Sequence, residues 1–314
     1  MTTSTIVQPR VPLLSGPTPV QELPRLSAAL GGGPTLLVKR DDSIPFGFGG
    51  NKVRKLEFVL AEAVARGADT LVTVGGIQSN HARATAAAAA SLGLRCVLII
   101  NGTAPAKATA NAMLDRLLGA EIEYIASREA RTGASERVMR RLRDEGRRPF
   151  FVPLGASTPM GALGFVAAVE EMLEQGIVPD AIVHAGSSGG TQAGLVAGVA
   201  RYGLHTRVIG VSADDPAESI EAGVRRIIRG IGGLESFDGE IEVDDGWVGD
   251  GYGIPTNASR EAQSLAARTE ALFVDHTYTA KALGALIAYV REERFTPEQT
   301  VLFWHTGGQV GFFA

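Results

Sequence analysis

The position of Lys52, after two glycines and at the start of a predicted helix, could make this lysine a nucleophile. Lys52 follows Gly49-Gly50-Asn51, and the residues after it predict an amphipathic helix over 55–65. The glycines permit a tight bend, and the helix dipole should lower the pKa of an amine placed at the helix start. A neutral lysine amine can form a Schiff base with an aldehyde. A solvated lysine at a helix start would show the same local pattern, and we expect Arg54 and Lys55 to be solvated or to neutralise a phosphate.

A second segment could hold a phosphate. A strand leads into a turn rich in Gly, Ser and Thr, and a helix follows. Backbone N–H groups and hydroxyls at a helix start form a cup for an anion. The segment lacks the Gly-Lys-Ser/Thr of a P-loop and the spacing of a dinucleotide-binding turn, so a small monophosphate fits it better. A glycine-rich helix start without a ligand is the alternative. The candidate residues are Ser187, Ser188, Gly189, Gly190 and Thr191.

A third turn lies between a predicted strand and an alanine-rich helix. It contains Ser79, Asn80 and His81. Exposed amides and polar side chains at such a place can bind a carboxylate or a cofactor oxygen. Ser79 or Asn80 would equally be explained as a helix N-cap. His81 belongs to no metal-ligand pattern, and we predict no metal site.

Polar groups near the C-terminus complete the candidates. Thr306 follows a predicted strand and precedes two glycines, and ligands of open α/β sheets gather at the carboxyl ends of strands. Tyr252 and Tyr278 lie in segments that predict a loop or a helix start. Each of these residues, taken alone, also has a structural explanation.

The elements that must position these groups alternate along the chain. Short apolar runs that predict strands are separated by helical stretches, which is typical of an α/β fold with parallel sheets covered on both faces. The segment 153–161 is rich in turns and could pass between two domains, and the long Gly- and Asp-rich segment 231–256 predicts a functional or mobile loop. The strands are predicted at 35–39, 70–74, 95–100, 121–125, 150–152, 181–184, 206–211 and 300–304.

Composition narrows the class of protein. With 314 residues, 45% of them hydrophobic, the chain can bury a large core and form two domains. Its net charge of -4 gives no reason to expect nucleic acid or an anionic membrane as a partner. A single cysteine, Cys96, excludes an intrachain disulfide. No apolar run is long enough to span a membrane and no secretory signal is visible, so we expect a cytoplasmic protein.

Taken together, these motifs resemble the fold-type II pyridoxal-phosphate enzymes. The resemblance is closest to the branch that contains D-cysteine desulfhydrase, 1-aminocyclopropane-1-carboxylate deaminase and L-cysteate sulfo-lyase. It implies two open, parallel-rich twisted sheets with helices on both faces, as in tryptophan synthase β. The motifs that carry it are Lys39-Arg40-Asp41-Asp42, Gly49-Gly50-Asn51-Lys52, Gln78-Ser79-Asn80-His81, Gly161-Ala162-Leu163-Gly164, Gly186-Ser187-Ser188-Gly189-Gly190-Thr191 and His305-Thr306-Gly307-Gly308.

The resemblance also implies how pyridoxal 5′-phosphate would be held. Lys52 would form the Schiff base with its aldehyde, and the turn from Ser187 to Thr191 would hold its phosphate. Asn80 would reach the pyridoxal 3′-oxygen, and Thr306 would face the pyridine nitrogen.

The remaining candidates would act on a small amino-acid substrate. Ser79 would contact the substrate carboxylate or assist at Cα, and Asn80 and His81 would also line the substrate site. Tyr252 and Tyr278 would line the substrate side chain or protonate the leaving group.

One departure from the deaminases points toward β-elimination. Their matching tyrosine is followed by a glutamate that faces the pyridine nitrogen, whereas Tyr278 is followed by Thr279. Losing that carboxylate makes the ring a weaker electron sink, which suits elimination better than cyclopropane opening. We therefore expect D-cysteine to yield pyruvate, ammonia and sulfide. L-cysteate cleavage, cyclopropane-carboxylate deamination and pyridoxal-phosphate binding without turnover stay open as alternatives.

The resemblance divides the chain into two domains. Residues 1–52 and 161–314 would form the larger, cofactor-binding domain, and residues 53–160 the smaller one. The active site would lie in the cleft between them and close over the substrate carboxylate. The family further implies a homodimer.

Overall fold

The computed structural model describes residues 8–314. Ten strands and ten α-helices alternate along these residues as far as α9, which α10 follows directly, and four short 3₁₀ turns accompany them. The strands are β1 (Val20–Glu22), β2 (Thr35–Arg40), β3 (Thr70–Gly76), β4 (Arg95–Asn101), β5 (Glu121–Ile125), β6 (Pro149–Val152), β7 (Ala181–Gly186), β8 (Arg207–Ser212), β9 (Glu242–Asp244) and β10 (Thr300–His305). The helices are α1 (Pro24–Ala29), α2 (Lys52–Ala65), α3 (Asn80–Ser91), α4 (Ala110–Leu117), α5 (Arg131–Asp144), α6 (Pro159–Glu174), α7 (Gly190–Arg201), α8 (Ala217–Arg229), α9 (Asn257–Glu270) and α10 (Thr279–Arg291).

The strands form two sheets. The larger sheet has the order β1-β2-β10-β7-β8-β9, and every pair in it is parallel except β1 with β2. The smaller sheet has the order β5-β4-β3-β6 and is entirely parallel. The predicted α/β fold with two parallel-rich sheets is confirmed.

Apolar side chains cover both faces of each sheet. Neighbouring residues of β10 face opposite sides of the larger sheet. Leu302 packs with α6 and α7, whereas Val301 packs with α9 and α10. In the smaller sheet, Leu71 and Val72 divide between the two faces in the same way. Burial on both faces explains why the sequence of these strands is continuously apolar.

The segment 231–256 contains an element that the sequence did not predict. β9 adds three half-buried residues, Glu242–Asp244, to the edge of the larger sheet. The remainder of the segment is turns and loop, as expected. All four strands of the smaller sheet lie between residues 70 and 152, and the larger sheet takes its strands from either side of them. The exact limits of the two domains stay a prediction.

Helix α2, which begins at Lys52, packs closely against α6. A Cβ atom at Gly164 of α6 would lie 2.2 Å from the backbone oxygen of Arg54, so the two helices approach this closely because residue 164 is a glycine. Helix α2, which carries the candidate nucleophile, is therefore held against α6, a helix that packs on the larger sheet.

Arg54 is buried and paired with carboxylates, so the expectation that it is solvated or neutralises a phosphate is wrong. Its guanidinium lies 2.8 Å from an oxygen of Asp41 and 2.8 Å from an oxygen of Glu171. The ammonium of Lys39 bonds the same Glu171 at 2.5 Å, and the indole of Trp304 donates to Asp41 at 2.8 Å. The packing of α2 on α6 covers Arg54, so its charge is paired inside the protein.

No helix among residues 8–314 is both long enough and apolar enough to cross a membrane.

Candidate active site

A cavity lies where the carboxyl ends of strands from both sheets meet. β3 brings Gly76 to it, β4 brings Asn101 and β7 brings Gly186, while Thr306 follows the end of β10. Ligands gather at this edge of parallel sheets. The cavity is lined by every predicted site residue except Gly190, namely Lys52, Ser79, Asn80, His81, Ser187, Ser188, Gly189, Thr191, Tyr252, Tyr278 and Thr306.

Lys52 lies at the wall of this cavity on a short backbone turn. Gly49 and Gly50 have φ values of 70° and 97°, and the N–H of Asn51 donates to the backbone oxygen of Thr306 at 2.9 Å. A Cβ atom on Gly50 would lie 3.1 Å from that same oxygen. The turn therefore ties the start of α2 to the end of β10, and glycine allows the close approach.

The pKa of Lys52 is lowered from 10.5 to about 8. Burial is the principal cause, while a hydrogen bond to the Lys55 amine and the charge of Asp214 act in the opposite direction. The direction matches our prediction, but burial rather than the helix dipole dominates. A neutral, nucleophilic fraction of Lys52 is consequently present near neutral pH.

Lys55 is fully buried beside Lys52, so it is not solvated, and the other expectation, that it neutralises a phosphate, stays a prediction. Burial and the charge of Lys52 hold its pKa well below the ordinary value. No carboxylate among residues 8–314 lies within 4.0 Å of its amine, which instead reaches the hydroxyl of Ser157 at 3.4 Å.

The turn before α7 forms the predicted anion cup. Gly189 has a φ of 78°, and α7 starts at the next residue. Ser157 joins the cup from the loop before α6, since its hydroxyl accepts from the N–H of Gly190 at 3.2 Å and lies 2.8 Å from the hydroxyl of Ser188. Thr191 accepts a hydrogen bond from the side chain of Asn51 at 3.0 Å.

These groups fit a phosphate. A Cβ atom on Gly155 would lie 2.3 Å from the hydroxyl of Ser188, so glycine keeps this wall of the cup open. The hydroxyl of Ser188 lies at the cavity wall beside the start of α7, and these are donors that a phosphate group requires, while Ser157 supports them from behind. The donor set is thus suited to the phosphate of pyridoxal 5′-phosphate.

The turn before α3 orients two polar side chains. Ser79 caps the helix by accepting from the N–H of Ala82 at 3.1 Å, and it also lines the cavity. Asn80 accepts a hydrogen bond on Oδ1 from Asn111 at 3.0 Å. This bond leaves the amide N–H₂ of Asn80 available as a donor, as the predicted contact with a pyridoxal oxygen requires.

Asn111 is fully buried and was not predicted from the sequence. We expect Asn111→Ala to weaken the binding of pyridoxal phosphate to the apoprotein roughly fivefold, because one hydrogen bond that orients Asn80 contributes about 1 kcal/mol. Fluorescence titration of the apoprotein measures the affinity. Asn257→Ala, at an exposed position that starts α9, is the matched control. An unchanged affinity in Asn111→Ala would contradict this role.

His81 is buried and neutral. Its Nε2 lies 2.7 Å from the hydroxyl of Thr73, and that hydroxyl donates to the backbone oxygen of Val152 at 2.7 Å. Thr73 must therefore accept from His81, which places the proton of the ring on Nε2. Burial and the charges of Lys52 and Lys55 lower the pKa of His81 well below its ordinary value.

Tyr252 and Tyr278 meet at the wall of the cavity. Their hydroxyls lie 2.5 Å apart, and their rings pack edge to face. Burial raises the pKa of both phenols, so each is protonated and can act as a donor at neutral pH. The buried ammonium of Lys281 holds the loop that carries Tyr252, because it donates to the backbone oxygens of Val248 at 2.7 Å and Gly251 at 3.0 Å.

Thr279 faces away from the cavity. Its hydroxyl donates to Asp275 at 2.7 Å, and the other oxygen of Asp275 accepts from the N–H groups of Thr277 and Tyr278 at 3.0 Å each. Asp275 thereby organises the start of α10 and does not line the cavity. Thr306 does line it, and its place beside the pyridine nitrogen stays a prediction.

Several residues that line the cavity were not predicted from the sequence. Asn101 ends β4 and Asp214 lies just after β8, so both stand at carboxyl ends of buried strands, which is a signal that the sequence contained. Asp214 accepts from the hydroxyl of Ser187 at 3.2 Å. Arg128, in the connection before α5, and Arg131, the first residue of α5, also line the cavity, and neither belongs to a recognisable motif.

The fold and this site define an enzyme of the fold-type II pyridoxal-phosphate class. A family model described as "Pyridoxal-phosphate dependent enzyme" matches residues 11–307, and the chain belongs to that family.

Relatives of known name narrow the family. The chain is 40% identical to 1-aminocyclopropane-1-carboxylate deaminase of Burkholderia vietnamiensis, over 96% of this chain and 94% of the relative. It is 37% identical to D-cysteine desulfhydrase of Salmonella typhi, over 98% and 96%. Among solved structures, an "ACC deaminase homologue" is 34% identical with a TM-score of 0.90 and covers 98% of this chain and 94% of its own.

Proposed function

We propose that this protein is a carbon–sulfur lyase that catalyses β-elimination from a cysteine-type amino acid. The observation that carries the proposal is the residue after Tyr278, which is a threonine bonded to Asp275 and turned away from the cavity. The carboxylate that does line the cavity, Asp214, lies beside Ser187 of the phosphate cup. In the proposed arrangement, with the pyridine nitrogen beside Thr306, neither Asp214 nor Thr279 would keep that nitrogen protonated.

Each residue would have a defined part in this reaction. When bound, pyridoxal phosphate supplies the electron sink that stabilises negative charge at Cα. The neutral amine of Lys52 accepts the Cα proton, and its pKa of about 8 suits a base at neutral pH. The amides and hydroxyl of the Ser79 turn hold the substrate carboxylate. The protonated Tyr252 and Tyr278 donate to the sulfur group as it leaves.

Cyclopropane-carboxylate deamination is the second candidate. It is favoured by the 39–40% identity to curated deaminases, slightly above the 37% identity to D-cysteine desulfhydrase. Ring opening demands a stronger electron sink, however, and that demand is met in the deaminases by a glutamate where this chain has Thr279. We therefore rank elimination above it.

A panel of amino acids tests the proposal. D-cysteine, L-cysteine, both isomers of β-chloroalanine, L-cysteate and 1-aminocyclopropane-1-carboxylate are incubated with the holoenzyme. We expect pyruvate and ammonia from at least one cysteine-type compound, and no 2-oxobutanoate from the cyclopropane. The opposite pattern would establish the deaminase, and a protein that binds pyridoxal phosphate but releases no keto acid would refute both reactions.

A further inference from the structure

The first turn of α10 contains a buried ammonium group that has no part in the proposed reaction. It belongs to Lys281, whose side chain is 1% exposed. A positive charge is disfavoured in the first turn of a helix, because the N–H groups of that turn already carry partial positive charge. Burial also disfavours the charge and lowers the pKa of Lys281. Favourable contacts of the ammonium must therefore outweigh both effects.

Three backbone oxygens surround this ammonium. It donates to the oxygen of Val248 at 2.7 Å, to that of Gly251 at 3.0 Å and to that of Ala213 at 3.5 Å. The three N–H donors of the ammonium are thus matched by three acceptors. We call the backbone oxygens of Ala213, Val248 and Gly251 the carbonyl cage.

The charge of Lys281 is balanced without a direct ion pair. Asp214 and Asp275 favour its protonated form through their charges, but no carboxylate among residues 8–314 lies within 4.0 Å of its amine. Lys39, another buried lysine, instead bonds the carboxylate of Glu171 at 2.5 Å. A cation that is held by carbonyl oxygens, with negative charge farther away, is arranged like K⁺ in a site built from backbone carbonyls.

The carbonyl cage joins two parts of the active site. Ala213 directly follows β8, whereas Val248 and Gly251 lie in the loop 245–256, which contains no helix or strand. This loop places Tyr252 at the wall of the cavity. The ammonium therefore fastens the loop to the end of β8.

We propose that the ammonium of Lys281 takes the place of an alkali cation in the carbonyl cage, so that the protein holds its Tyr252 loop without a bound monovalent ion. This arrangement does not depend on which group leaves the substrate. It has a direct consequence for a variant that lacks the lysine side chain. Three carbonyl oxygens and two negative charges then face an open space, and K⁺ or NH₄⁺ enters it with water molecules that complete the coordination shell.

Lys281→Ala tests the proposal in the holoenzyme. Chloride salts are compared at constant ionic strength, and tetramethylammonium, which is too large for the cage, is the reference cation. Without K⁺, chymotrypsin should cleave the variant after Tyr252 roughly 10- to 100-fold faster than the wild type, the effect of losing one hydrogen bond from a charged group. Millimolar K⁺ or NH₄⁺ should restore slow cleavage, whereas the smaller and more strongly hydrated Li⁺ should not. Mass spectrometry identifies the cleaved bond.

Stability provides a second measurement on the same variant. Above the dissociation constant of the new site, each tenfold rise in K⁺ concentration should lower the unfolding equilibrium constant of Lys281→Ala about tenfold. Urea unfolding at constant ionic strength measures this slope. The wild type should show no slope, because Lys281 already occupies its cage.

Two variants serve as controls. Lys281→Met fills the cage with an uncharged side chain of similar length, so its loop should be cleaved rapidly at every K⁺ concentration. Lys107→Ala removes an exposed lysine and should behave like the wild type. Equal rescue of Lys281→Met and Lys281→Ala by K⁺ would show that the ion acts elsewhere on the protein, which would overturn the proposal.

Other outcomes would also overturn it. Slow cleavage of Lys281→Ala in the absence of K⁺ would show that Lys281 does not hold the loop. Cleavage that stays fast in K⁺, or a Lys281→Ala chain that cannot fold even in K⁺, would show that the cage does not bind a cation. A wild-type loop that K⁺ protects would show that Lys281 leaves the cage open to ions.

The proposed function is judged separately by the release of pyruvate from the amino-acid panel. A loop that depends on K⁺ in Lys281→Ala, in a protein whose wild type releases no keto acid, would retain the carbonyl cage and lose the proposed reaction. Elimination by the wild type together with a Lys281→Ala loop that ignores K⁺ would retain the reaction and lose the proposed role of Lys281.

Discussion

Replacing Lys52 with alanine should remove the covalent attachment of pyridoxal phosphate and reduce turnover by roughly 10²- to 10⁴-fold, the contribution of one positioned proton-transfer group. The phosphate cup does not depend on Lys52, because its donors come from Ser157, Ser188 and the start of α7. The variant should therefore still bind the cofactor, but reversibly. Borohydride reduction followed by peptide mass spectrometry distinguishes covalent from reversible binding.

The composition of this chain makes that experiment unusually specific. It has five lysines, and Lys39, Lys55 and Lys281 are buried in the structure. Lys107 is exposed, so Lys107→Ala is the matched control and should keep full activity and the reduced adduct. An adduct at Lys55 in the Lys52→Ala protein, or full activity of that variant, would contradict the assignment of Lys52.

The pH dependence of cofactor attachment follows from the pKa of Lys52. Burial lowers this pKa to about 8, so the neutral fraction of the amine grows about tenfold per pH unit below 8 and levels off above it. The rate constant for covalent attachment to the apoprotein should follow the same curve. A rate that is still rising tenfold per unit at pH 10 would show that Lys52 has the pKa of a solvated lysine.

The sequence predicted the sheets well because their strands are buried on both faces. Strands such as Ala181–Gly186 are apolar runs between turns, and such runs are recognisable without any knowledge of tertiary structure. β9 was missed because Glu242–Asp244 is short, half-buried and partly acidic. It is a strand only because β8 offers it a free edge.

The site was predictable where a glycine-rich turn directly follows a strand, as at Ser187 and Ser79. It was not predictable where a role depends on contacts between distant segments. Gly164 lets α6 approach the backbone of α2 at Arg54 and Lys55, and β4 places Asn101 where it accepts a hydrogen bond from Arg131. Neither approach leaves a local pattern in the sequence.

The ion pairs that join Arg54 of α2 to Asp41 and Glu171 should also contribute strongly to the stability of the fold. Arg54→Met should reduce the free energy of unfolding by about 3–5 kcal/mol, because it leaves the carboxylates of Asp41 and Glu171 buried without their main partner. Urea unfolding measures the change. Arg137→Met is the control: Arg137 forms an ion pair of the same 2.8 Å length with Glu123, but its side chain is 64% exposed. Its loss should cost less than about 1 kcal/mol.

Acidification provides an independent check on this ion network. Burial acts to raise the pKa of Glu171, but the hydrogen bonds and charges of Arg54 and Lys39 outweigh it and lower the pKa from 4.5 to about 2. A carboxyl whose pKa is lower in the folded state contributes stability above pH 4.5 and loses it as the pH falls toward 2. The stability difference between the wild type and Arg54→Met should therefore shrink across this window. A difference that stayed constant from pH 6 to pH 2 would show that Arg54 stabilises α2 through packing rather than through charge.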